Sequence, residues 1–324
     1  MTYTSVEICA GAGGQARGLE LAGFKHLAAV EIDKHACQTL RLNRPEWNPI
    51  EADLTTWEGH EFSGKVDLLA GGVPCPPFSK AGRQLGADDE RDLFPHAIRL
   101  VGEIQPRAVM LENVRGLLDT AFDDYRASVE RRLRALGYNV GWRLLNASDF
   151  GVPQLRPRVV FIGVREDLGT GFEFPHPADC APPTVGQTLR DLMAENGWEG
   201  AGDWAAKADS VAPTLVGGSK KHGGADLGPT RAKRAWEALG VDGKGIADSA
   251  PPVGFEGLPR LTNRMAARIQ GFDDDWVFSG GKTAQYRQIG NAFPPPVAAA
   301  VGRKIFATLA NADRIEVGVS RKAS

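Results

Sequence analysis

The sequence predicts an α/β fold in which helices cover both faces of one open, mixed sheet. Short apolar runs alternate with segments of helical periodicity through the first half of the chain, which is typical of parallel crossover units. Two further runs then follow each other without an intervening helix and predict an antiparallel pair that closes the sheet. The seven predicted strands are residues 5–10, 26–30, 48–52, 66–70, 106–111, 138–146 and 158–164.

The composition of the chain is that of an ordinary globular protein. The chain has 324 residues, 42% hydrophobic and 24% charged, enough for one large domain or a large and a small one. There is no basic segment at the N-terminus and no apolar run of membrane-span length, so we expect a cytoplasmic protein. The four cysteines are far apart and form no C-x-x-C pair, so we expect neither a disulfide framework nor a metal site. Because the net charge is only −2, contact with nucleic acid would need a local basic patch.

The most distinctive stretch is Gly-Gly-Val-Pro-Cys-Pro-Pro-Phe-Ser-Lys-Ala-Gly, residues 71–82. It follows the apolar run 66–70, so Cys75 is expected just past the carboxyl end of a strand, where open α/β sheets bind ligands. Prolines on both sides of Cys75 restrict the backbone and prevent an immediate helix. A thiol held there suits a nucleophile. Free cysteine is also among the most buried residue types, and from this stretch alone the two interpretations are equally good.

Candidate cofactor residues follow the neighbouring predicted strands. Gly11-Ala-Gly-Gly14 predicts a tight turn into a helix at 15–22, where glycine lets the backbone approach a ligand. The spacing is not G-x-G-x-x-G, so close strand–helix packing explains the glycines about as well. Glu31, about 20 residues later, ends the second strand and suits hydrogen bonds to ribose hydroxyls. Asp53 ends the third strand, so these residues and Cys75 predict a cofactor pocket beside a reactive thiol.

Two further groups carry candidate chemistry. Glu112 ends the strand 106–111; such a carboxylate is usually a solvated terminus, but beside a thiol it becomes a catalytic candidate. Arg156 and Arg158 are two residues apart and point to one face of an extended chain. Arginines so placed suit recognition of a carbonyl or phosphate group, and a surface pair is the alternative. The polar residues 80–92 predict a mobile lid or a plain surface loop.

The composition and periodicity of the chain change near residue 170. Residues 171–260 are rich in Gly, Pro and Ala and show little periodicity beyond a helix near 230–239. Basic residues concentrate in residues 217–235 of this part, against a single acid, Asp226; they are Lys220, Lys221, Arg231, Lys233 and Arg234. Such a run is often only a solvated face, but here we interpret it as part of a smaller inserted domain that contacts nucleic acid. Helices at 261–270 and 297–309 and a poorly ordered tail complete the prediction.

Five stretches of the chain carry a family resemblance: Gly11-Ala-Gly-Gly14, Pro74-Cys-Pro-Pro-Phe-Ser79, Glu112-Asn-Val114, Gln154-x-Arg-x-Arg158 and Gln288-Ile-Gly-Asn291. In this order they resemble the DNA cytosine-5 methyltransferases, particularly the bacterial enzymes of restriction–modification systems. The resemblance implies a Rossmann-like, S-adenosylmethionine-dependent fold with a mixed seven-stranded sheet and a smaller inserted target-recognition domain. We expect a catalytic domain at 1–170 and 283–312, a target-recognition domain at 171–282, and a flexible tail at 313–324.

The resemblance also implies a reaction. S-adenosylmethionine would donate a methyl group to a cytosine of duplex DNA, which must be flipped out of the helix. Cys75 would attack C6 of the base, and Glu112 would contact N3 and the exocyclic amine. Arg158 would hold O2, with Arg156 close to the thiol. Loss of the C5 proton and elimination of Cys75 would leave 5-methylcytosine and S-adenosylhomocysteine.

The remaining site residues are also implied by the resemblance. Glu31 would bind the ribose and Asp53 would lie near the adenine amine, whereas Cys9 and Ile32 stand where many members carry aromatic residues. The expected cofactor-binding residues are Cys9, Ala10, Gly11, Gly13, Gly14, Glu31, Ile32, Asp53, Leu54, Pro74, Leu93 and Asn291. The expected DNA-binding residues are Ser79, Arg83, Gln154, Lys220, Lys221 and Arg231.

Expected partners and alternatives follow from the same residues. The expected partner is double-stranded DNA; a restriction endonuclease would share the recognition site without direct contact, and we expect a monomer. An enzyme acting on structured RNA would use the same chemistry, although the inserted basic segment favours DNA. A nicotinamide oxidoreductase would account for Glu31 but leave the Pro-Cys-Pro stretch without a role. A non-catalytic repressor would not need Cys75, Glu112, Arg156 and Arg158.

Overall fold

The computed structural model describes residues 2–74, 92–218 and 224–322. Within these ranges a seven-stranded sheet has the order β3-β2-β1-β4-β5-β7-β6. Strands β1 to β5 run parallel to one another, whereas β7 runs antiparallel to both β5 and β6. The predicted mixed seven-stranded sheet is therefore confirmed. The strands are β1 Tyr3–Ile8, β2 Phe24–Glu31, β3 Pro49–Glu51, β4 Leu68–Gly72, β5 Ala108–Val114, β6 Tyr138–Asn146 and β7 Pro157–Arg165.

Helices cover both faces of this sheet because successive side chains of each buried strand point to opposite sides. In β4, Leu68 and Ala70 face one layer of helices, whereas Leu69 faces the layer on the opposite side of the sheet. None of the helices in the described ranges is both long and apolar enough to cross a membrane. The flanking helices are α1 Gly14–Leu21, α2 Lys34–Asn43, α3 Phe94–Ile104, α4 Asp123–Ala135 and α10 Pro295–Lys322.

The contact between α1 and α10 holds the glycine turn in place. A Cβ atom at Gly18 would lie 2.3 Å from the carbonyl oxygen of Pro295, and one at Gly14 would lie 2.4 Å from that of Phe293. Only glycine allows the two helices to approach this closely. The start of α1, at the edge of the sheet that bears the candidate site, is therefore fixed by a segment about 280 residues away.

The second half of the chain contains more helices than its composition predicted. One hydrophobic cluster combines α5 Val185–Ala194, α6 Ala201–Lys207, α7 Thr230–Ala238, α8 Asn263–Gln270 and α9 Lys282–Asn291. Only one helix was expected between 171 and 260, so α5 and α6 were missed. Their signal is in the sequence: Thr184 and Gln187 form a capping box, and α5 buries Val185, Leu189, Leu192 and Met193 at helical spacing. Because α8 and α9 pack in the same cluster, the domain boundary near residue 282 stays a prediction.

The end of the chain differs from the expected tail. Helix α10 continues to Lys322. Asp313 accepts a hydrogen bond of 2.6 Å from the Tyr3 hydroxyl and also pairs with Arg107. These contacts attach the helix at Asp313 to the beginning of β1 and to the segment before β5, and the flexibility of residues 313–324 stays a prediction. The helix was predicted to end at residue 309 because the polar residues of a surface helix resemble those of a disordered tail.

Candidate active site

A cavity of about 310 Å³ opens at the carboxyl ends of β1, β2, β4 and β5. This is the edge at which open α/β sheets bind ligands, and the motifs identified in the sequence meet here. Of the residues expected to bind a cofactor, all except Gly13 line the cavity, and the candidate catalytic residue Glu112 lines it as well. The expected cofactor residues in its wall are Cys9, Ala10, Gly11, Gly14, Glu31, Ile32, Asp53, Leu54, Pro74, Leu93 and Asn291.

Gly13 has a packing function instead. It adopts a left-handed backbone conformation (φ 86°) at the start of α1, and a Cβ there would lie 2.8 Å from Leu40 and 3.1 Å from Trp47 and Trp276. Its glycine is required by this conformation and by the close contact with aromatic side chains rather than by the cavity. Cys9 also has a positive φ of 50°, an uncommon conformation for a residue with a side chain. The turn that borders the cavity is therefore conformationally constrained at two points.

Glu31 connects the end of β2 to the glycine turn. Its carboxylate accepts hydrogen bonds from the backbone N–H groups of Gly11 (2.8 Å), Ile32 (2.9 Å) and Asp33 (2.7 Å). Burial raises the pKa of Glu31, whereas these hydrogen bonds act in the opposite direction. Two carboxylate oxygens have roughly four acceptor positions, so this carboxylate can still accept a hydrogen bond from a ligand hydroxyl. Ile32, Leu54 and Leu93 supply an apolar wall on which an aromatic ring could pack.

Glu112 and Arg158 form a buried ion pair at the end of β5. Arg158 Nε lies 2.8 Å from Glu112 Oε1. Arg158 precedes Val160, the register partner of Glu112, by two residues, so both side chains point to the same face of the sheet. Burial raises the pKa of Glu112, and the two nearby charges of Arg158 and Arg156 oppose that shift. The result is a carboxyl group that can be protonated closer to neutral pH than a solvated one and that lies in the cavity wall.

Asn113 links Glu112 to the stretch that carries the candidate nucleophile. Its side-chain amide donates a 2.7 Å hydrogen bond to the carbonyl oxygen of Val73, and its side-chain oxygen accepts one from Val114 N–H. Pro74 follows Val73 and lines the cavity. Cys75, the next residue, lies outside the described residues. Asn113 therefore fixes the backbone immediately before Cys75 relative to the end of β5.

Residues 3–307 match the family of C-5 cytosine-specific DNA methylases. The chain belongs to this family. Its sequence is 59% identical to Type II methyltransferase M.NaeI of Lentzea aerocolonigenes over 310 residues, which are 94% of this chain and 75% of that protein. It is 57% identical to Type II methyltransferase M.NgoMIV of Neisseria gonorrhoeae over 312 residues, which are 95% of this chain and 99% of that protein.

Solved structures of related proteins have the same fold. A putative DNA modification methyltransferase encoded in an Escherichia coli prophage has a TM-score of 0.68 and 25% identity, with 95% of this chain and 99% of that one covered. Spodoptera frugiperda DNMT2 has a TM-score of 0.66 and 18% identity, with 94% of this chain and 100% of that one covered, which supports the fold alone. The protein is a DNA cytosine-5 methyltransferase related to bacterial type II enzymes.

The cavity has the properties that the cofactor of this methyltransferase family, S-adenosylmethionine, requires. Glu31 offers an acceptor for sugar hydroxyls, the apolar wall suits the adenine ring, and the glycine turn brings backbone groups to the opening. Carboxyl groups predominate over basic groups in the wall, which favours a ligand with a positive charge. Within the described ranges, no group of three or more His, Cys, Asp or Glu is arranged to hold a metal ion.

Arg156 and Gln154 lie inside the methyltransferase rather than at an open surface. Arg156 donates hydrogen bonds to the carbonyl oxygens of Leu215 (2.7 Å) and Gly290 (2.8 Å). The Gln154 amide bonds to Gln270 (2.7 Å) and accepts from Leu215 N–H (2.8 Å). These bonds connect the start of β7 with α8, α9 and the segment before α7. The Gln154 amide is thus engaged inside the protein, and Arg156 binds backbone carbonyl groups and does not line the cavity. The expected contact of Gln154 with DNA and the expected catalytic role of Arg156 stay predictions.

The residues expected to contact DNA are only partly described. Cys75, Ser79, Arg83, Lys220 and Lys221 lie outside the described residues, as does most of the expected lid at 80–92. Arg231 is exposed on the first turn of α7, and Arg234 is exposed one turn later. Lys233, in contrast, pairs with Asp226 at 2.9 Å. The exposed positive charge of α7 is therefore carried by its arginines.

Several residues of the cavity wall were not expected from the sequence. Glu7 lies inside β1, Gln15 in the first turn of α1, Arg287 in α9, and Phe293 before α10. A charged residue within an apolar strand was the available signal for Glu7, because an acid in that position is rarely buried without a function. The others reach the cavity only through the packing of α9 and α10 on α1, which no local pattern reveals.

Substitution of Asn113 tests the link to Cys75. Asn113→Ala is expected to lower kcat for DNA methylation about 10- to 100-fold, because misplacement of a reacting group by about 1 Å costs this much. The KM for the cofactor should change less than about twofold, since the glycine turn and Glu31 are untouched. Steady-state methylation of a duplex oligonucleotide measures both, with Asn139→Ala on the exposed face of β6 as the matched control. An unchanged kcat would show that this hydrogen bond does not position the nucleophile.

Proposed function

We propose that this enzyme transfers a methyl group from S-adenosylmethionine to C5 of a flipped-out cytosine in a specific duplex sequence, through a covalent bond between Cys75 and C6. One observation carries the proposal. The cavity brings the glycine turn and Glu31 together with the Glu112–Arg158 pair, and Pro74, the residue before Cys75, borders the same cavity. A cofactor site and a site for one polar ring therefore share a wall.

The proposed cofactor site uses the residues that line the cavity. Glu31 accepts hydrogen bonds from the ribose hydroxyls, and Asp53 lies near the adenine amine, with Ile32, Leu54 and Leu93 packing on the ring. Asn291 closes the cavity from α9; its side chain donates a hydrogen bond of 3.2 Å to the carbonyl oxygen of Gly218. When bound, the cofactor supplies an electrophilic methyl group.

The protein groups make C5 of cytosine able to accept that methyl group. The Cys75 thiolate forms a bond to C6, and the electron pair of the C5–C6 double bond moves toward C5 while Glu112 gives a proton to N3. Arg158 orients Glu112 and holds O2. After methylation, the proton on C5 passes to solvent, its electron pair forms the C5–C6 double bond again, and the bond between Cys75 and C6 breaks to release the thiolate. Glu112 recovers the proton from N3, so the enzyme returns to its initial state.

Flipping the base exposes its edge to these groups at a cost of a few kcal/mol. We propose that residues 171–282 form a target-recognition domain that holds the surrounding duplex and reads its sequence. The exposed arginines of α7 support this assignment, because they add positive charge to a protein with a net charge of only −2. Ser79 and Arg83, on the expected lid, are proposed to contact the DNA backbone.

Neutralising the proposed DNA surface is expected to weaken binding in a salt-dependent manner. The triple variant Lys220→Ala, Lys221→Ala, Arg231→Ala removes up to three phosphate contacts. Each lost contact should make the slope of log K against log salt concentration shallower by about 0.9. Fluorescence anisotropy of a labelled duplex at several salt concentrations measures this slope.

The matched control removes the same number of charges elsewhere. Lys25, Lys65 and Arg303 are exposed; Lys25 lies at the amino end of β2 and Lys65 precedes β4, so both lysines are opposite the cavity edge. Replacing these three by alanine should leave the slope nearly unchanged. Equal slopes for the two triple variants would remove the basic segment from the DNA-binding surface.

The relatives suggest the biological setting. Proteins with 59% and 57% identity are type II methyltransferases. We propose that this enzyme likewise methylates a short recognition sequence and thereby protects it from a restriction endonuclease that acts on the same site. A monomer is sufficient for this reaction, since all the proposed catalytic groups come from one chain.

Bisulfite sequencing tests the proposal in one experiment. Random-sequence plasmid DNA from cells that express the enzyme should contain unconverted cytosines only within one short motif. The same plasmid from cells with a Cys75→Ala enzyme should be fully converted. Complete conversion with well-expressed wild-type enzyme would contradict DNA methylation and direct attention to RNA.

A further inference from the structure

Two buried polar side chains in the cavity wall have no hydrogen-bond partner among the described residues. Both carboxyl oxygens of Glu7, on β1, are unpartnered, and so are the oxygen and nitrogen of the Gln15 side-chain amide, in the first turn of α1. Glu7 is 0% exposed and Gln15 is 3% exposed. Buried polar groups nearly always have a partner, so unpartnered atoms on two neighbouring elements indicate a place that faces a ligand.

Glu7 differs in this respect from the other acids of the cavity. Glu31 is held by three backbone N–H groups, and Glu112 is paired with Arg158. Asp33 caps α2, and the carboxylate of Asp53 accepts hydrogen bonds from Thr55. Each of these carboxyl groups has a compensating donor within the protein, whereas Glu7 has none in the described ranges.

The charged groups around Glu7 lie on several elements. Glu7 pairs with Ala70 of β4 and Glu112 pairs with Gly72 of β4, so the two glutamates lie on the same face of the sheet. Between them β4 contributes only the methyl group of Ala70 and the hydrogen of Gly72. Beyond Glu112 lie the guanidinium groups of Arg158 and Arg156. Glu31 on β2 and Arg287 on α9 line the same cavity, with Asp33, Asp53 and the thiol of Cys9, and α1 contributes only the uncharged Gln15.

This environment favours the neutral form of Glu7 when nothing positive is nearby. Burial, and to a smaller extent the charge of Glu112, raise the pKa of Glu7 well above its ordinary value. A positive charge that enters the cavity acts in the opposite direction, because it stabilises the carboxylate. The protonation of Glu7 therefore depends on the charge of the bound ligand.

We propose that Glu7 makes the cavity prefer the positively charged methyl donor over the neutral product, because its carboxyl loses a proton to solvent when the donor binds and keeps it when the product binds. The inference rests on the proposed function and extends it to cofactor selection. S-adenosylmethionine carries a sulfonium charge that S-adenosylhomocysteine lacks, and the rest of the two molecules is the same. Once the methyl group has been transferred, Glu7 regains a proton from solvent, the attraction is lost, and the product dissociates more readily.

Isothermal titration calorimetry of the wild-type enzyme and Glu7→Gln tests this directly. Each ligand is titrated at pH 7.5 in phosphate and in Tris, whose different ionisation enthalpies reveal the number of protons released. The wild type should release more protons with S-adenosylmethionine than Glu7→Gln does, and the two proteins should not differ with S-adenosylhomocysteine. The ratio of donor to product affinity should fall by about three- to tenfold in Glu7→Gln, which corresponds to one partly screened charge pair.

The pH dependence provides a second readout. Because the donor stabilises the ionised form of Glu7, the donor-to-product affinity ratio of the wild type should rise between pH 6 and 8.5 more steeply than that of Glu7→Gln. The wild-type titrations test the proposal even if the variant does not fold. Glu7→Asp, which retains an ionisable carboxyl group, should retain part of the pH dependence.

Gln15→Met is the matched control. It removes the neighbouring unpartnered amide without changing charge, so both ligands should be affected alike and the affinity ratio should be preserved. Equal loss of affinity for donor and product in Glu7→Gln would overturn the inference, because Glu7 would then contact a part common to both. Equal proton release by the wild type and Glu7→Gln would overturn it too. Failure of the wild type to bind either ligand would overturn the proposed function itself.

Discussion

Replacement of Cys75 by alanine is expected to abolish methyl transfer, with a loss in kcat of about 10⁴-fold or more. The reason is chemical: C5 of cytosine is not nucleophilic until a nucleophile adds to C6, and no other described side chain of the cavity wall is a comparable nucleophile. Cys9 also lines the cavity, but burial raises the pKa of its thiol and disfavours the thiolate. Transfer of labelled methyl groups from S-adenosylmethionine to a duplex oligonucleotide measures the loss.

Binding should survive this substitution. The cofactor cavity and the proposed DNA surface do not depend on the sulfur atom, so the affinities of Cys75→Ala for S-adenosylmethionine and duplex DNA should stay within about threefold of wild type. Cys180, an exposed cysteine, offers the matched control: Cys180→Ala should methylate DNA normally. Turnover by Cys75→Ala near the wild-type rate would exclude Cys75 as the nucleophile.

Covalent trapping gives an independent measure of the same step. DNA with fluorine at C5 of the target cytosine has no C5 proton to lose, so the wild-type enzyme should remain bonded to C6 after methyl transfer. The complex should survive denaturing electrophoresis. Cys75→Ala should form no such complex, whereas Cys180→Ala should form it as the wild type does.

Glu112→Gln is expected to lower kcat by about 10²- to 10⁴-fold, the usual contribution of a positioned acid. Glutamine has nearly the same shape and can still contact the base, but it cannot give a proton to N3. It also leaves the buried Arg158 guanidinium without the carboxylate that lies 2.8 Å away. Thermal unfolding should therefore accompany the kinetic assay, so that a loss of stability is separated from a loss of catalysis.

The pH profile distinguishes an acid from a positioning group. Burial raises the pKa of Glu112, so the protonated form that donates to N3 is retained to higher pH than for an ordinary carboxyl and is lost as pH rises through the raised value. The activity of the wild type should fall on the alkaline side as this proton is lost, and the thiolate requirement of Cys75 should limit it on the acid side. In Glu112→Gln the residual activity should lack the alkaline fall. An unchanged fall in activity at alkaline pH would mean that a group other than Glu112 causes it. Replacement of the exposed Glu46 by glutamine serves as the control.

Much of the site was predictable because it lies in local segments whose geometry repeats along the chain. An apolar run followed by a glycine turn, an acid or a Pro-Cys stretch specifies a strand and its carboxyl end, and parallel strands bring such ends to one edge. Glu31, Asp53, Pro74 and Glu112 therefore came together as expected. Helices α5 and α6 were recognisable from their spacing but were obscured by a segment rich in Gly and Pro.

The family, the mixed sheet and the edge at which the candidate residues meet were predictable from the sequence, because periodicity and motif order are local properties. The tertiary structure, in contrast, sets how the side chains share that edge. Gln154 and Arg156 are buried and form hydrogen bonds with α8, α9 and Leu215. Gly13 packs against two tryptophans, and Asp313 attaches α10 to β1. The tertiary structure also left Glu7 inside the cavity without a hydrogen-bond partner among the described residues. Burial and hydrogen-bond partners depend on segments distant in the chain, and no local pattern encodes them.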